Sequence, residues 1–155
     1  MVPAEQQGGD PAAQVRIERW NDRGEAGAIA VGEDARTVAQ AALGGVLTLA
    51  LDGQPLPAGD GTAAAPIAGR GDDLAAAVGH LADDLLAQLD ALGGGLRHVR
   101  LDGLLRTDNG GYSGWGYLIG SATGPAVPEV GLAGEPAAGR DAAGRLEIRV
   151  SLRRG

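Results

Sequence analysis

Apolar and polar positions alternate at two different periods along this chain, and the changes of period mark its elements. Val15 and Ile17 alternate with Arg16 and Glu18, which predicts a first strand over residues 14–20. A polar loop, residues 21–25, feeds an apolar run that reads as a second strand over residues 27–31. Glu33 and Asp34 then stand where acids favour a helix N-terminus. Residues 35–51 contain no proline, and Val38, Ala42, Val46 and Leu49 fall on one helical face. Gly44 and Gly45 interrupt that helix, each at a cost of about 1 kcal/mol. Two adjacent glycines there imply close packing on a neighbouring strand, or a kink.

Residues 53–61, with Pro55 and Pro57, read as a surface loop. Residues 62–68 form a weak strand around Ile67, placed at a sheet edge by Pro66. Asp72 and Asp73 open the stronger helix, whose stripe runs Leu74, Val78, Leu81, Leu85, Leu89 and Leu92. Asp83, Asp84 and Asp90 fall off the stripe and read as a solvated face. Three glycines, 93–95, end the helix. The period then returns to two. Leu96, His98, Leu101 and Leu104 with interleaved arginines predict a strand over residues 96–107. Asp108-Asn109-Gly110-Gly111 is a hairpin turn signal, and residues 112–122 return as its partner. A short strand over residues 129–133 and a cleanly alternating one over residues 145–152 complete the chain. The expected architecture is α+β: two helices on one mostly antiparallel sheet, in the order β-β-α-β-α-β-β-β-β.

Composition narrows this to one domain with a core of small aliphatics. The chain has 155 residues, 44% apolar, with no Phe, two Trp and two Tyr. Residues 1–13 are rich in Pro, Gly, Gln and Ala and read as a disordered tail, leaving residues 14–155 as the domain. All 13 basic residues other than histidine are Arg, which fits the codon bias of a GC-rich genome and is not itself a sign of phosphate binding. The net charge of −7 argues against nucleic-acid binding through broad electrostatics. Charge is uneven, however. Residues 1–92 carry five Arg against 14 acids, whereas residues 93–155 carry eight Arg against six acids. No membrane-spanning run or signal-peptide pattern stands out, so the expected location is cytoplasmic.

The usual catalytic constellations are missing. There is no Cys for a thiol nucleophile or a zinc site. Ser113, Ser121 and Ser151 lie in no nucleophile-elbow context, and His80 and His98 stand on different elements. His80, beside the helix stripe, reads as a surface or partly buried histidine. The chain is read as non-enzymatic.

The loop Asn21-Asp22-Arg23-Gly24-Glu25-Ala26-Gly27, followed by Gly32 and Thr37-Val38-Ala39-Gln40-Ala41-Ala42, resembles the archease family. That family's hallmark is Asp-His-Thr-Ala-Asp-Val-Gly, then a Gly and an Ala-rich helix. Glu25 stands at its second acid, with Gly27 and Gly32 at its glycines. Leu81-Ala82-Asp83-Asp84-Leu85-Leu86 resembles the family's second helix, and Gly114-Trp115-Gly116 its Gly-x-Gly strand. Glu129-Val130-Gly131-Leu132 matches its Glu-Val-Lys-Ala segment, and Arg153 its C-terminal Asp. The similarity runs from about Gln14 to Arg153.

The resemblance implies an archease-like fold of the strand-helix-strand (SHS2) type. It implies a non-enzymatic protein that assists guanylylation and turnover of an RNA ligase in tRNA splicing or RNA repair; with the acidic charge and no spanning run, no direct nucleic-acid or membrane binding is expected. It places partner interaction at Asp22, Arg23, Glu25, Glu129 and Arg153. It also implies a divalent cation such as calcium, with Glu25 as the surviving oxygen ligand. The other family acid is Arg153 here, Asp22 replaces the family's His, and Gly131 its Lys. Two facing carboxylates need a positive charge between them. A guanidinium at one position supplies it, so Glu25 and Arg153 are expected to form an ion pair in place of a metal, worth about 0–1 kcal/mol if exposed. The alternative leaves Arg153 and Arg154 as a frayed, solvated tail. Two other functions stay open. One is an interaction module for another partner, docking through Tyr112, Trp115 and Tyr117, whose alternation also fits sheet packing. The other is a stand-alone metal-dependent enzyme.

Overall fold

The computed structural model describes residues 13–52, 54, 62–121 and 124–154. The expected N-terminal tail, up to residue 12, and all but residue 54 of the loop at 53–61 lie outside the described residues. The elements run β1 (Ala13–Glu18), β2 (Glu25–Gly32), α1 (Ala35–Ala50), β3 (Ala63–Gly71), α2 (Leu74–Leu92), β4 (Leu96–Arg106), β5 (Tyr112–Gly120), β6 (Val130–Leu132), β7 (Ala137–Arg140) and β8 (Leu146–Arg154). Among the described residues the fold is α+β, with two helices and every strand pair antiparallel.

The strands divide into two sheets rather than the single sheet expected. The first has the order β1-β2-β8, with β6 and β7 both on the far edge of β8; the second has the order β3-β5-β4. β8, last in the chain, thus sits beside β2, near its beginning. Glu25 pairs with Arg153 and Gly32 with Leu146 at the two ends of that ladder.

Each helix starts on an aspartate. Asp34 accepts the Thr37 N–H at 3.1 Å, and Asp73 accepts the Ala76 N–H at 2.8 Å, each satisfying a donor that the first turn leaves free. The predicted stripes are the buried ones. Val38, Ala42, Val46 and Leu49 of α1 are at most 1% exposed. Leu81, Leu85 and Leu89 of α2 are equally buried, while Leu92, the last helical residue, is 46% exposed. α1 packs on β2 and β8 and α2 on β3 and β5, around one core that also takes in Ile67, Leu118, Ile148 and Leu152.

Alanine brings the first of these layers close. α1 runs unbroken through its two glycines, and Gly45 lies against β2: a Cβ there would stand 2.6 Å from the Ala28 Cβ. Close packing, not a kink, is therefore the reason for a glycine at that position.

The edges of the second sheet are covered by helix side chains at helical spacing. On α2, His80 donates through Nδ1 to the Arg70 carbonyl, Asp84 accepts the Ala68 N–H at 2.8 Å, and Gln88 donates to the Pro66 carbonyl at 3.2 Å. On α1, Gln40 accepts the Leu101 N–H at 2.8 Å and Arg36 donates to the Leu101 carbonyl at 3.2 Å. These bonds occupy backbone groups that an edge strand would otherwise offer to another chain. Asp84 is thus half-buried and employed, not part of a solvated face. His80 is an exposed histidine that ties α2 to β3. Pro66 sits on an edge strand, as its missing N–H requires.

Two register irregularities in β4, at Leu96/His98 and Leu101/Gly103, break its alternation. Leu96 and Leu101 stay buried while His98 turns to solvent.

Candidate functional site

Asn21 builds the loop between β1 and β2 from its own side chain. Its Oδ1 accepts the backbone N–H groups of Arg23 (2.9 Å) and Glu25 (3.0 Å), an Asx turn. Its backbone N–H donates to the Glu25 carbonyl at 2.9 Å, and its carbonyl accepts the Gly24 N–H at 3.1 Å. Gly24 takes φ +72°, a conformation that costs a side-chain-bearing residue about 1–2 kcal/mol. The Gly24 carbonyl in turn accepts the Arg154 N–H at 2.9 Å, which fastens the loop to the last residues of β8.

Trp20 is the pillar behind the loop. Its indole N–H donates to the Leu49 carbonyl at 3.0 Å, near the end of α1. The Arg154 guanidinium lies 4.2 Å from the ring centroid. Helix, loop and C-terminal strand meet at this one side chain.

The ladder carries Glu25 to Arg153, and Arg153 pairs on its other side with Gly131 of β6. Residues directly opposite in antiparallel strands share a face. Three positions from the two ends of the chain thus form one row across β2, β8 and β6. Arg153 and Arg154 are strand residues, not a frayed tail. The expected ion pair, however, is not formed. The Glu25 carboxylate lies 3.9 Å from Arg23 Nε and accepts from Asn21 Nδ2 at 3.4 Å. Arg153 is exposed and makes no ion pair among the described residues. Adjacent strands set Cα positions, but the tight turn brings Arg23 round to the same carboxylate. With Arg23 84% and Glu25 49% exposed at their side chains, that pair is worth about 0–1 kcal/mol.

Glu25 lines a depression of about 480 Å³ together with Glu18, Asn21 and Ser151. Glu18 was not singled out from sequence; its position on the polar face of β1, two residues before Trp20, was the available signal. Asp22 lies exposed at the loop tip beside Arg23. Glu129 does not join this group: it lines a separate cleft of about 210 Å³ with Asp83 and Asp90 of α2. His98 lies on β4, in a groove beside α1.

Three carboxylates (Glu18, Asp22, Glu25) and three guanidiniums (Arg23, Arg153, Arg154) make this site a charged surface of mixed sign. The donor set does not fit the divalent cation that the family resemblance implies. The position opposite Glu25 on β8 holds Arg153 where a second acid is needed, and no group of three or more Asp, Glu, His or Cys side chains suited to a metal occurs among the described residues. No helix among the described residues is long and apolar enough to cross a membrane.

No protein-family model matches the chain, and no curated protein sequence matches it. Its fold is similar to the solution structure of protein 1598 of Methanobacterium thermoautotrophicum, with a TM-score of 0.57 over 92% of this chain and 98% of that one. Sequence identity is 16%, so the two chains share an architecture and little of their side-chain chemistry.

Proposed function

We propose that this protein is a divergent archease that assists an RNA ligase by protein–protein contact and has exchanged the family's metal site for a charged surface. The observation that supports the reading is the row Glu25–Arg153–Gly131. These are the positions at which the sequence resembles the family's first-loop acid, C-terminal acid and lysine, and the fold sets them on three neighbouring strands.

The chain's own residues then act as a recognition surface. Glu25 offers an acceptor fixed by the Asn21 turn. Arg153 and Arg23 offer guanidiniums suited to bidentate contact with a partner's carboxylates. Arg153 carries no competing ion pair among the described residues, so a partner acid does not have to displace one. Calorimetric titration of the RNA ligase from the same organism with this protein tests the reading. Binding that Arg153→Glu weakens about tenfold or more supports it. Absence of binding, or binding indifferent to Arg153→Glu and Glu25→Arg alike, refutes it.

A further inference from the structure

Among the described residues, no element packs on the outer face of the second sheet, and two aromatic residues lie there. Trp115 and Tyr117 occupy successive outward positions of β5, the central strand, and are 41% and 37% exposed. Half of the chain's four large aromatics therefore face solvent on one strand. Their cross-strand neighbours are small or cationic: Ala68 and Gly103 beside Trp115, Pro66 and Arg100 beside Tyr117. The Trp115 ring rests on Gly103, where a Cβ would come within 2.2 Å of its Cζ2. Arg100 lies 5.5 Å from the Tyr117 centroid and is steadied by Asp102 at 2.7 Å.

Charge on this face opposes that of the chain. The register sets Arg70 opposite Ser113 and Arg100 opposite Tyr117, with Asp102 beside Arg100, in a protein of net charge −7, whereas Arg106 lies opposite the inward-facing Tyr112. The overall charge argues against broad electrostatic binding, but exposed aromatic rings flanked by two arginines are a different device.

We propose that this face is a stacking platform for single-stranded RNA. Every base has a π face, so two aromatic rings at successive outward positions accept unpaired bases without regard to sequence, while Arg70 and Arg100 on the same face meet the phosphates. A duplex, whose bases are already stacked, has no face to offer Trp115. The choice of RNA over DNA rests on the RNA ligase reading above; the platform itself does not.

Fluorescence anisotropy of a labelled single-stranded RNA of about twelve nucleotides, titrated with the full chain at low salt, tests the proposal. Saturable binding is expected, weakened about 5- to 150-fold by Trp115→Ala. Tyr117→Leu, which keeps apolar bulk but removes the stacking face, is expected to weaken binding in the same direction. It guards against a Trp115 variant that fails to fold, and thermal melting followed by circular dichroism identifies such a failure. Arg100→Ala is expected to flatten the salt dependence by about 0.7 in log–log slope. Three outcomes overturn the proposal: no binding up to about 100 µM, equal binding by the wild type and both aromatic variants, or preference for duplex over single strand. A single-stranded DNA arm binding as tightly as RNA overturns the choice of RNA. A ligase guanylylation assay run without RNA is independent of all these outcomes, so the two readings fail separately.

Discussion

Gly44 and Gly45 are adjacent in the middle of α1, yet replacing each by alanine is expected to have opposite effects. In an exposed helix interior, Gly→Ala gains about 1 kcal/mol from lost unfolded-chain entropy. At Gly44 a Cβ meets only Val99 Cγ1 at 3.9 Å, an ordinary van der Waals contact. Gly44→Ala should therefore keep the gain and stabilise the protein by about 0.5–1 kcal/mol. At Gly45 the new Cβ would stand 2.6 Å from the Ala28 Cβ and 3.2 Å from both Ile17 Cδ1 and Val15 Cγ2. Ala28 is fully buried, in a strand paired on both sides. The helix must retreat by about 1 Å to reach normal carbon–carbon separation. Overpacking of this kind costs about 1–3 kcal/mol. The propensity gain is common to both variants and cancels between them, so the overpacking cost alone separates them. Urea denaturation monitored at the helical circular dichroism band measures it. In thermal melts the gap should appear at roughly 2–4 °C per kcal/mol for a chain of this length. Equal stability of the two variants, or a Gly45→Ala protein more stable than wild type, would refute the close packing of α1 on β2.

Asp84→Ala should leave the Ala68 N–H of an edge strand without its partner, lowering stability by about 1 kcal/mol and raising light scattering on concentration; an unchanged variant by both measures would contradict the edge-covering role. Asp141 closes the turn between β7 and β8, and its carboxyl is held below the usual carboxylate range. The largest cause is the Arg145 N–H at 2.8 Å, with the Arg145 guanidinium also contributing. Because the folded value is the lower one, the unfolded chain takes up the proton first. The contribution is complete above the ordinary Asp value of about 3.9 and is lost as pH falls through the depressed one. NMR titration of Asp141 should show a midpoint below that of an unstructured Asp, and Asp141→Asn should make unfolding less steep in this acid window; an ordinary midpoint would contradict it.

How much of this was legible in the sequence differs from element to element. Both helices were readable because their apolar stripes are long and repeat at one period, and burial follows the stripes. The hairpin of β4 and β5 was readable from its turn residues. β7 was not: Ala137–Arg140 is exposed at every position and holds only Ala, Gly and Arg, so no pattern marks it. It exists because the Asp141 turn folds it back on β8. The division into two sheets was also hidden, since local pattern says which face of a strand is apolar but not which strand lies beside it. The same limit applied at the site. Resemblance named Glu25 and Arg153, and the register brought them together. What it did not reveal is that Asn21 would curl the loop until Arg23, two residues away, took the carboxylate. Nor did it reveal that Arg154 would settle on Trp20. These depend on the directions of side chains around one left-handed glycine, which residue types alone do not encode.

The measurement that tests the central claim most directly is single-turnover guanylylation of the RNA ligase from the same organism, with and without this protein and with and without added calcium. The account predicts acceleration that is indifferent to calcium and is lost in the Arg153→Glu variant. No acceleration under any metal condition would contradict ligase assistance. Acceleration that requires calcium would contradict the replacement of the metal site by a charged surface, and would return Glu25 to the role of a ligand.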